Sequence, residues 1–148
     1  MIVLDTNVFS ELIRATPAPA VMAWARAQDA ATIVTTAVCE AELLFGVAAM
    51  AEGYRRMVLA RAVEAMPCAV LGGRVLPSDG SAADIYGELA SESRGSGRTV
   101  AVAALQIAAI ARTRNALAIA TRNTRHFAGF GVAIIDPWTT GPSSEALK

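Results

Sequence analysis

Met1-Ile2-Val3-Leu4-Asp5-Thr6-Asn7 decides the fold. Apolar residues from Ile2 to Leu4 run straight into a carboxylate, and two small polar residues follow. This pattern predicts a short buried strand that ends at Asp5 and then turns into a capped helix. In open α/β sheets, ligands bind just beyond the carboxyl ends of the strands. Asp5 therefore falls where such folds place their chemistry. A bare carboxylate buried there is costly without a cation or donors around it. Asp, Thr and Asn also cap helices well, so a purely capping role for Asp5 is open on this stretch alone.

Working outward, strands and helices alternate. Val8 to Arg14 reads as a short helix stopped before Pro17 and Pro19. Ala20 to Gln28 reads as a helix with Val21, Trp24 and Ala25 on one face. Ala31 to Thr35 is rich in β-formers and predicts the second strand. Thr36 can cap a helix over Ala37 to Met50. A further helix is expected over Glu52 to Met66. Pro67 to Pro77 reads as short and irregular, with a strand at Ala69 to Leu71. Asp79 or Ser81 can cap a helix through Ile85 and Leu89. Glu92 to Gly97 reads as a loop, and Thr99 to Thr113 as a buried apolar helix. Leu117 to Ala120 and Val132 to Ile135 complete the strands. The expected fold is α/β: one domain over residues 1–140, with a small parallel sheet of about four to five strands and helices on both faces. Residues 141–148 are expected to form a frayed tail.

Composition agrees with a single globular domain. The chain has 148 residues, 54% hydrophobic and 18% charged, with formal net charge zero. That length supports a full core, and the composition excludes a disordered chain. Val100 to Ala111 is the longest apolar run, and it falls short of the roughly 18 residues that read as a transmembrane helix. Asp5 lies where the apolar part of a signal peptide would begin, so no signal peptide is expected. Cys39 and Cys68 have no framework or metal spacing and read as reduced core thiols of a cytoplasmic protein. Bulk charge gives no argument for a nucleic-acid partner, but its distribution is uneven. No Asp or Glu occurs from Ser93 to Ile135, a stretch that carries Arg94, Arg98, Arg112, Arg114, Arg122 and Arg125. Arginine suits bidentate phosphate recognition, although an arginine-rich composition places such residues on a surface without any ligand.

The polar residues at the expected strand ends carry the chemistry. Thr121 ends the strand from Leu117, and Asn123 follows in Arg122-Asn123-Thr124-Arg125. In a parallel sheet that edge is shared with Asp5. Glu42 lies on the helix after the second strand, among Val38, Leu44 and Phe45, and a carboxylate beside such an apolar face needs a partner. If Asp5 and Glu42 meet, two carboxylates about 4 Å apart repel by roughly 4 kcal/mol at an effective dielectric near 20. A shared proton or a cation relieves this. Hard oxygen ligands with open positions suit Mg²⁺ or Mn²⁺. Such ions activate water and clamp phosphates during in-line displacement, so phosphodiester hydrolysis is the natural reading. Gly72-Gly73 forms no phosphate-binding signature, and no Gly-x-Ser-x-Gly elbow is present. His126 has no evident triad partner and reads more readily as an ordinary loop histidine.

Taken together, the segments Met1 to Asn7, Ala41-Glu42-Leu43-Leu44-Phe45-Gly46-Val47, Gly97 to Ala103, Ile107 to Arg112, and Ala120-Thr121-Arg122-Asn123-Thr124-Arg125-His126-Phe127, closed by Ile134-Ile135-Asp136-Pro137-Trp138, resemble the PIN-domain ribonucleases of the VapC toxin type, nearest the FitB-like branch. The resemblance implies a toxin of a type II toxin–antitoxin system that cuts RNA with a divalent metal. Asp5 matches its first acid and Glu42 its second. Thr121 and Asn123 match polar positions around its fourth site, and His126 falls where similar sequences commonly carry Asp. By the same resemblance, Thr6, Asn7, Arg98, Thr121, Arg122 and Arg125 are candidate substrate contacts, with Asp5 and Glu42 as metal ligands. A VapB-type antitoxin and a homodimer or toxin–antitoxin hetero-oligomer are the implied partners.

Ala104 is the departure. The family's third acid falls on it, and no acid occurs anywhere from Thr99 to Asn115. Losing even an outer partner of a metal ligand typically costs 10–100-fold, so an impaired nuclease is expected. Either the change was introduced so that a toxic nuclease can be produced, or the chain is a naturally inactive relative. The close match of the surrounding residues favours the first. A non-catalytic decoy that binds antitoxin or RNA is the alternative. A haloacid-dehalogenase-like phosphatase is more remote, because that chemistry needs an acid where Asn7 stands.

Overall fold

The computed structural model describes residues 1–140. The expected tail, 141–148, lies outside the described residues. The elements run β1 (Ile2–Leu4), α1 (Thr6–Leu12), α2 (Pro19–Ala27), β2 (Ile33–Thr36), α3 (Ala37–Ala48), α4 (Tyr54–Ala69), β3 (Val75–Leu76), α5 (Gly80–Gly95), α6 (Val102–Thr113), β4 (Ala118–Ala120), α7 (Thr124–Phe127) and β5 (Ala133–Ile135). The sheet is five-stranded in the order β3-β2-β1-β4-β5, and every pairing is parallel.

Alternation along these short strands builds two cores. Val3, Val34 and Ile119 point to one face, against Leu89 of α5, the apolar side of α6 and Phe127 of α7. Ile2, Leu4, Ile33 and Ala120 point to the other, against Val8 and Phe9 of α1, Val21 and Trp24 of α2, and Met66 of α4. Helices therefore cover both faces, as a parallel sheet requires. Helix α3 borders both, with Cys39 in one core and Leu43 packed against the other. No helix among the described residues is long and apolar enough to cross a membrane.

Several boundaries differ from the sequence reading. The third strand is Val75–Leu76, not Ala69 to Leu71, because α4 continues through Pro67 to Ala69. The chain then reverses at Gly72 and Gly73, both at positive φ (55° and 76°), where glycine is tolerated without strain. Helix α5 absorbs part of the expected loop and ends at Gly95, and α6 starts only at Val102. The expected caps form at Thr36, which accepts from the Cys39 amide, and at Asp79, which accepts from the Ala82 amide. Cys39 is a buried thiol, whereas Cys68 is exposed on the last turn of α4, beside buried Met66 and Pro67. Only Cys39 is a core thiol.

The order of the sheet positions the site. Connections from β1 lead to β2 on one side, while β4 flanks β1 on the other. The carboxyl ends of β1 and β4 thus meet at the point where the winding reverses, the usual ligand crevice of such sheets.

Candidate active site

Asp5 follows the last residue of β1. Its backbone N–H donates to the Ala120 carbonyl at 3.0 Å, which keeps it in register with β4. Its Oδ1 accepts from the Thr6 amide at 2.8 Å and caps α1. Its Oδ2 accepts from Asn7 Nδ2 and from Thr121 Oγ1, both at 2.7 Å. Capping and site are thus not alternatives, since one carboxylate does both. Asp5 is only 6% exposed. Burial pushes its carboxyl above the usual range; the Thr121 hydroxyl and Thr6 amide pull it back, the Glu42 charge raises it, and Asn7 lowers it.

Thr121 is fully buried and joins two chain segments. Besides donating to Asp5, its hydroxyl accepts from Asn7 Nδ2 at 3.1 Å and from the Asn123 amide at 3.0 Å. Asn7 Oδ1 accepts from the Arg122 amide at 3.0 Å. The loop after β4 is therefore tied to the turn after β1 by hydrogen bonds to side chains read from sequence.

Glu42 comes from α3 and accepts from the Thr6 hydroxyl. Thr6 thus bridges both acids, with its amide on Asp5 and its hydroxyl on Glu42. Glu42 is exposed. It has the expected partner but not the expected apolar surroundings, because Leu44 and Phe45 also face solvent at 45% and 75% exposure. Below the pair, the Cys39 thiol donates to the Leu4 carbonyl, and burial pushes this thiol up.

These groups open onto a cavity of about 440 Å³. Asp5, Thr6, Asn7, Glu42, Ala104 and Asn123 all line it. The sequence reading therefore converges on one place. Ala104, on the first turn of α6, is 6% exposed and presents only a methyl group. Thr121 lies behind Asp5 rather than on the wall. Arg98, Arg122 and Arg125 do not line the cavity. The Arg98 guanidinium lies 5.1 Å from the Phe130 ring centroid and that of Arg122 5.2 Å from Trp138. Arg125 is exposed on α7. Two polar lining residues fall outside the expected site set, Ser10 and His126, the second read from sequence as an ordinary loop histidine. Each lies three positions after a residue within that set, Asn7 and Asn123, and helical spacing puts such pairs on one face.

The donor set admits a hard divalent cation in a minimal form. Asp5 and Glu42 offer oxygens on one cavity, and neither has a cationic partner among the described residues. Mg²⁺ commonly uses one or two carboxylates and completes its shell with water and substrate phosphate. The described residues contain no group of three or more His, Cys, Asp or Glu side chains that could hold an ion. The methyl of Ala104 stands where the resemblance places a third carboxylate.

The PIN domain family profile matches residues 2–131. The chain is 44% identical to the VapC ribonuclease Y4jK of Sinorhizobium fredii over 138 residues, covering 93% of this chain and 98% of that one. It is 37% identical to the toxin FitB of Neisseria gonorrhoeae, covering 93% and 99%. A solved structure of FitAB bound to a DNA fragment superposes with a TM-score of 0.84 at 35% identity, over 95% of this chain and 97% of that one. With Asp5 and Glu42 converging at the switch point of the same sheet, this chain belongs to the PIN-domain family.

Proposed function

We propose that this chain is the toxin of a type II toxin–antitoxin system, a cytoplasmic endoribonuclease of the VapC type whose catalytic power is cut by Ala104. The observation that carries this reading is the Asp5–Thr6–Glu42 bridge, two carboxylates held on one cavity by a single threonine. The similarity to a VapC ribonuclease and to the toxin FitB supports it.

Asp5 and Glu42 would hold Mg²⁺ or Mn²⁺. When bound, the ion supplies charge neutralisation at phosphate and a more acidic water. The chain's own residues do the rest. Thr121 and Asn7 fix the Asp5 carboxylate, and Thr6 fixes Glu42 toward the cavity. Asn123 offers an amide on the wall to orient phosphate or water. Arg98, Arg122 and Arg125 lie outside the cavity and serve the flanking RNA strand. A VapB-type antitoxin binds this toxin, and the active assembly is a homodimer or a toxin–antitoxin hetero-oligomer.

Ala104 favours a second reading, a binding module that engages antitoxin or RNA without cutting. A phosphatase of the haloacid-dehalogenase kind is disfavoured, because that chemistry needs an acid where Asn7 stands. The deciding experiment compares RNA cleavage by this chain and by Ala104→Asp with Mg²⁺ or Mn²⁺. Near-silence from the first and chelator-sensitive cleavage from the second is the expected result. Silence from both, with the fold intact, transfers the conclusion to the binding module.

A further inference from the structure

We propose that His126 is the proton donor to the leaving oxygen, acting across the cavity from the Asp5–Glu42 pair. The proposal rests on the nuclease reading above. His126 lines the same cavity as both acids. The sheet order puts them on opposite sides of it. Glu42 rides on α3 after β2, His126 on α7 after β4, and β1 with Asp5 lies between β2 and β4. Among the described residues, His126 does not join the two acids in a group able to hold an ion.

Its place is fixed and its ring is available. Phe127, the next residue, is 2% exposed and anchors α7 in the core. The His126 backbone N–H donates to the Asn123 carbonyl at 3.0 Å, and the residue is exposed. Between the two walls, Ala104 adds only a methyl, leaving a space of about 440 Å³. That lies within the range of small-ligand sites and is open to one nucleotide.

In-line displacement needs help on both sides of phosphorus. A water entering on the carboxylate side adds its oxygen to phosphorus and gives up its proton to solvent. The bond from phosphorus to the leaving oxygen breaks, and that oxygen takes the proton of the His126 imidazolium. Solvent then returns a proton to the imidazole. Imidazole is the side chain best suited to hold and release a proton near neutral pH, and such proton transfer typically contributes 10²–10⁴-fold.

The test uses the Ala104→Asp chain with and without His126→Ala. Substrates are an oligoribonucleotide and versions with sulfur in place of either bridging oxygen. A thiolate leaves without a proton. Expected is a loss of about 10²–10⁴-fold on the oxygen substrate, and near-equal rates on the substrate whose leaving atom is sulfur. Equal rates on oxygen, or the same loss on every substrate, overturns the proposal and leaves the nuclease reading standing. If Ala104→Asp cuts nothing, the nuclease reading fails and the proton-donor role falls with it. A second readout needs no turnover. The chain has a single histidine, so its imidazole gives one assignable NMR signal. That signal is expected to move when a short oligoribonucleotide binds the unsubstituted chain. Binding detected by fluorescence anisotropy with the imidazole signal unmoved overturns the proposal.

Discussion

The Thr121 hydroxyl donates to Asp5 Oδ2 at 2.7 Å, joining the carboxyl ends of two adjacent parallel strands through their side chains. The same oxygen accepts from Asn7 and from the Asn123 amide, so every part of the hydroxyl is used. Thr121→Val keeps the shape and removes the bonds. Leaving buried polar groups without a partner costs about 1–3 kcal/mol. At roughly 2–4 °C per kcal/mol for a domain of this size, thermal unfolding should show the loss clearly. Thr121→Ser restores the hydroxyl and should recover most of it. A Val variant as stable as the parent would mean that this hydroxyl network contributes nothing net.

Glu42 sets a pH dependence through Asp5. Burial chiefly, and the Glu42 charge in part, raise the Asp5 carboxyl in the folded chain. The folded state therefore holds the Asp5 proton more tightly than the unfolded state does. This contribution to stability is fully present below the unfolded carboxylate range, near pH 4. It is lost as pH rises through the higher folded value. Glu42→Gln keeps an acceptor for the Thr6 hydroxyl and removes the charge. The gain at pH 7 should be modest, about 0.2–1 kcal/mol, because Glu42 is exposed and screened by solvent. It should vanish below about pH 4. Denaturant titrations of both chains at pH 3.5 and pH 7 measure this; a gain of equal size at both pH values would exclude the charge as its cause.

Much of the site was legible because strand ends in a parallel sheet share an edge. Asp5, Thr121 and Asn123 could be brought together from Ile2-Val3-Leu4 and Leu117 to Ala120 without coordinates. The β3 strand was not legible in the same way. Val75–Leu76 is too short to show a period of two, and its place depends on Gly72 and Gly73 turning the chain back. Glu42 was legible as an acid needing a partner, but that partner, the Thr6 hydroxyl, is a long-range contact. The exposure of Phe45 also ran against its residue type, since apolar patterning marks a face without saying what covers it. The facing of His126 was not legible, because α7 is a single turn and four residues carry no periodicity from which it can be read.

Ala104 makes opposite demands on stability and metal binding, and both can be measured without substrate. The residue is buried at 6% exposure on the cavity wall that Asp5 and Glu42 share. In a chelator, Ala104→Asp adds a third negative charge beside two that already lack a cation, and desolvates it. The variant should unfold at a lower temperature than the parent. A divalent ion reverses the sign of that effect, because three carboxylates then share one cation. Ligand binding stabilises by about 2.7 kcal/mol at 100 times Kd, equivalent to roughly 5–11 °C for a domain of this size. Mn²⁺ titrated into Ala104→Asp should therefore raise its Tm by several degrees and carry it past that of the parent. The parent, with only Asp5 and Glu42, should move much less at the same concentration. Equal Mn²⁺ shifts in the two chains would show that position 104 does not face the ion, and the assignment of the missing third acid to Ala104 would fall.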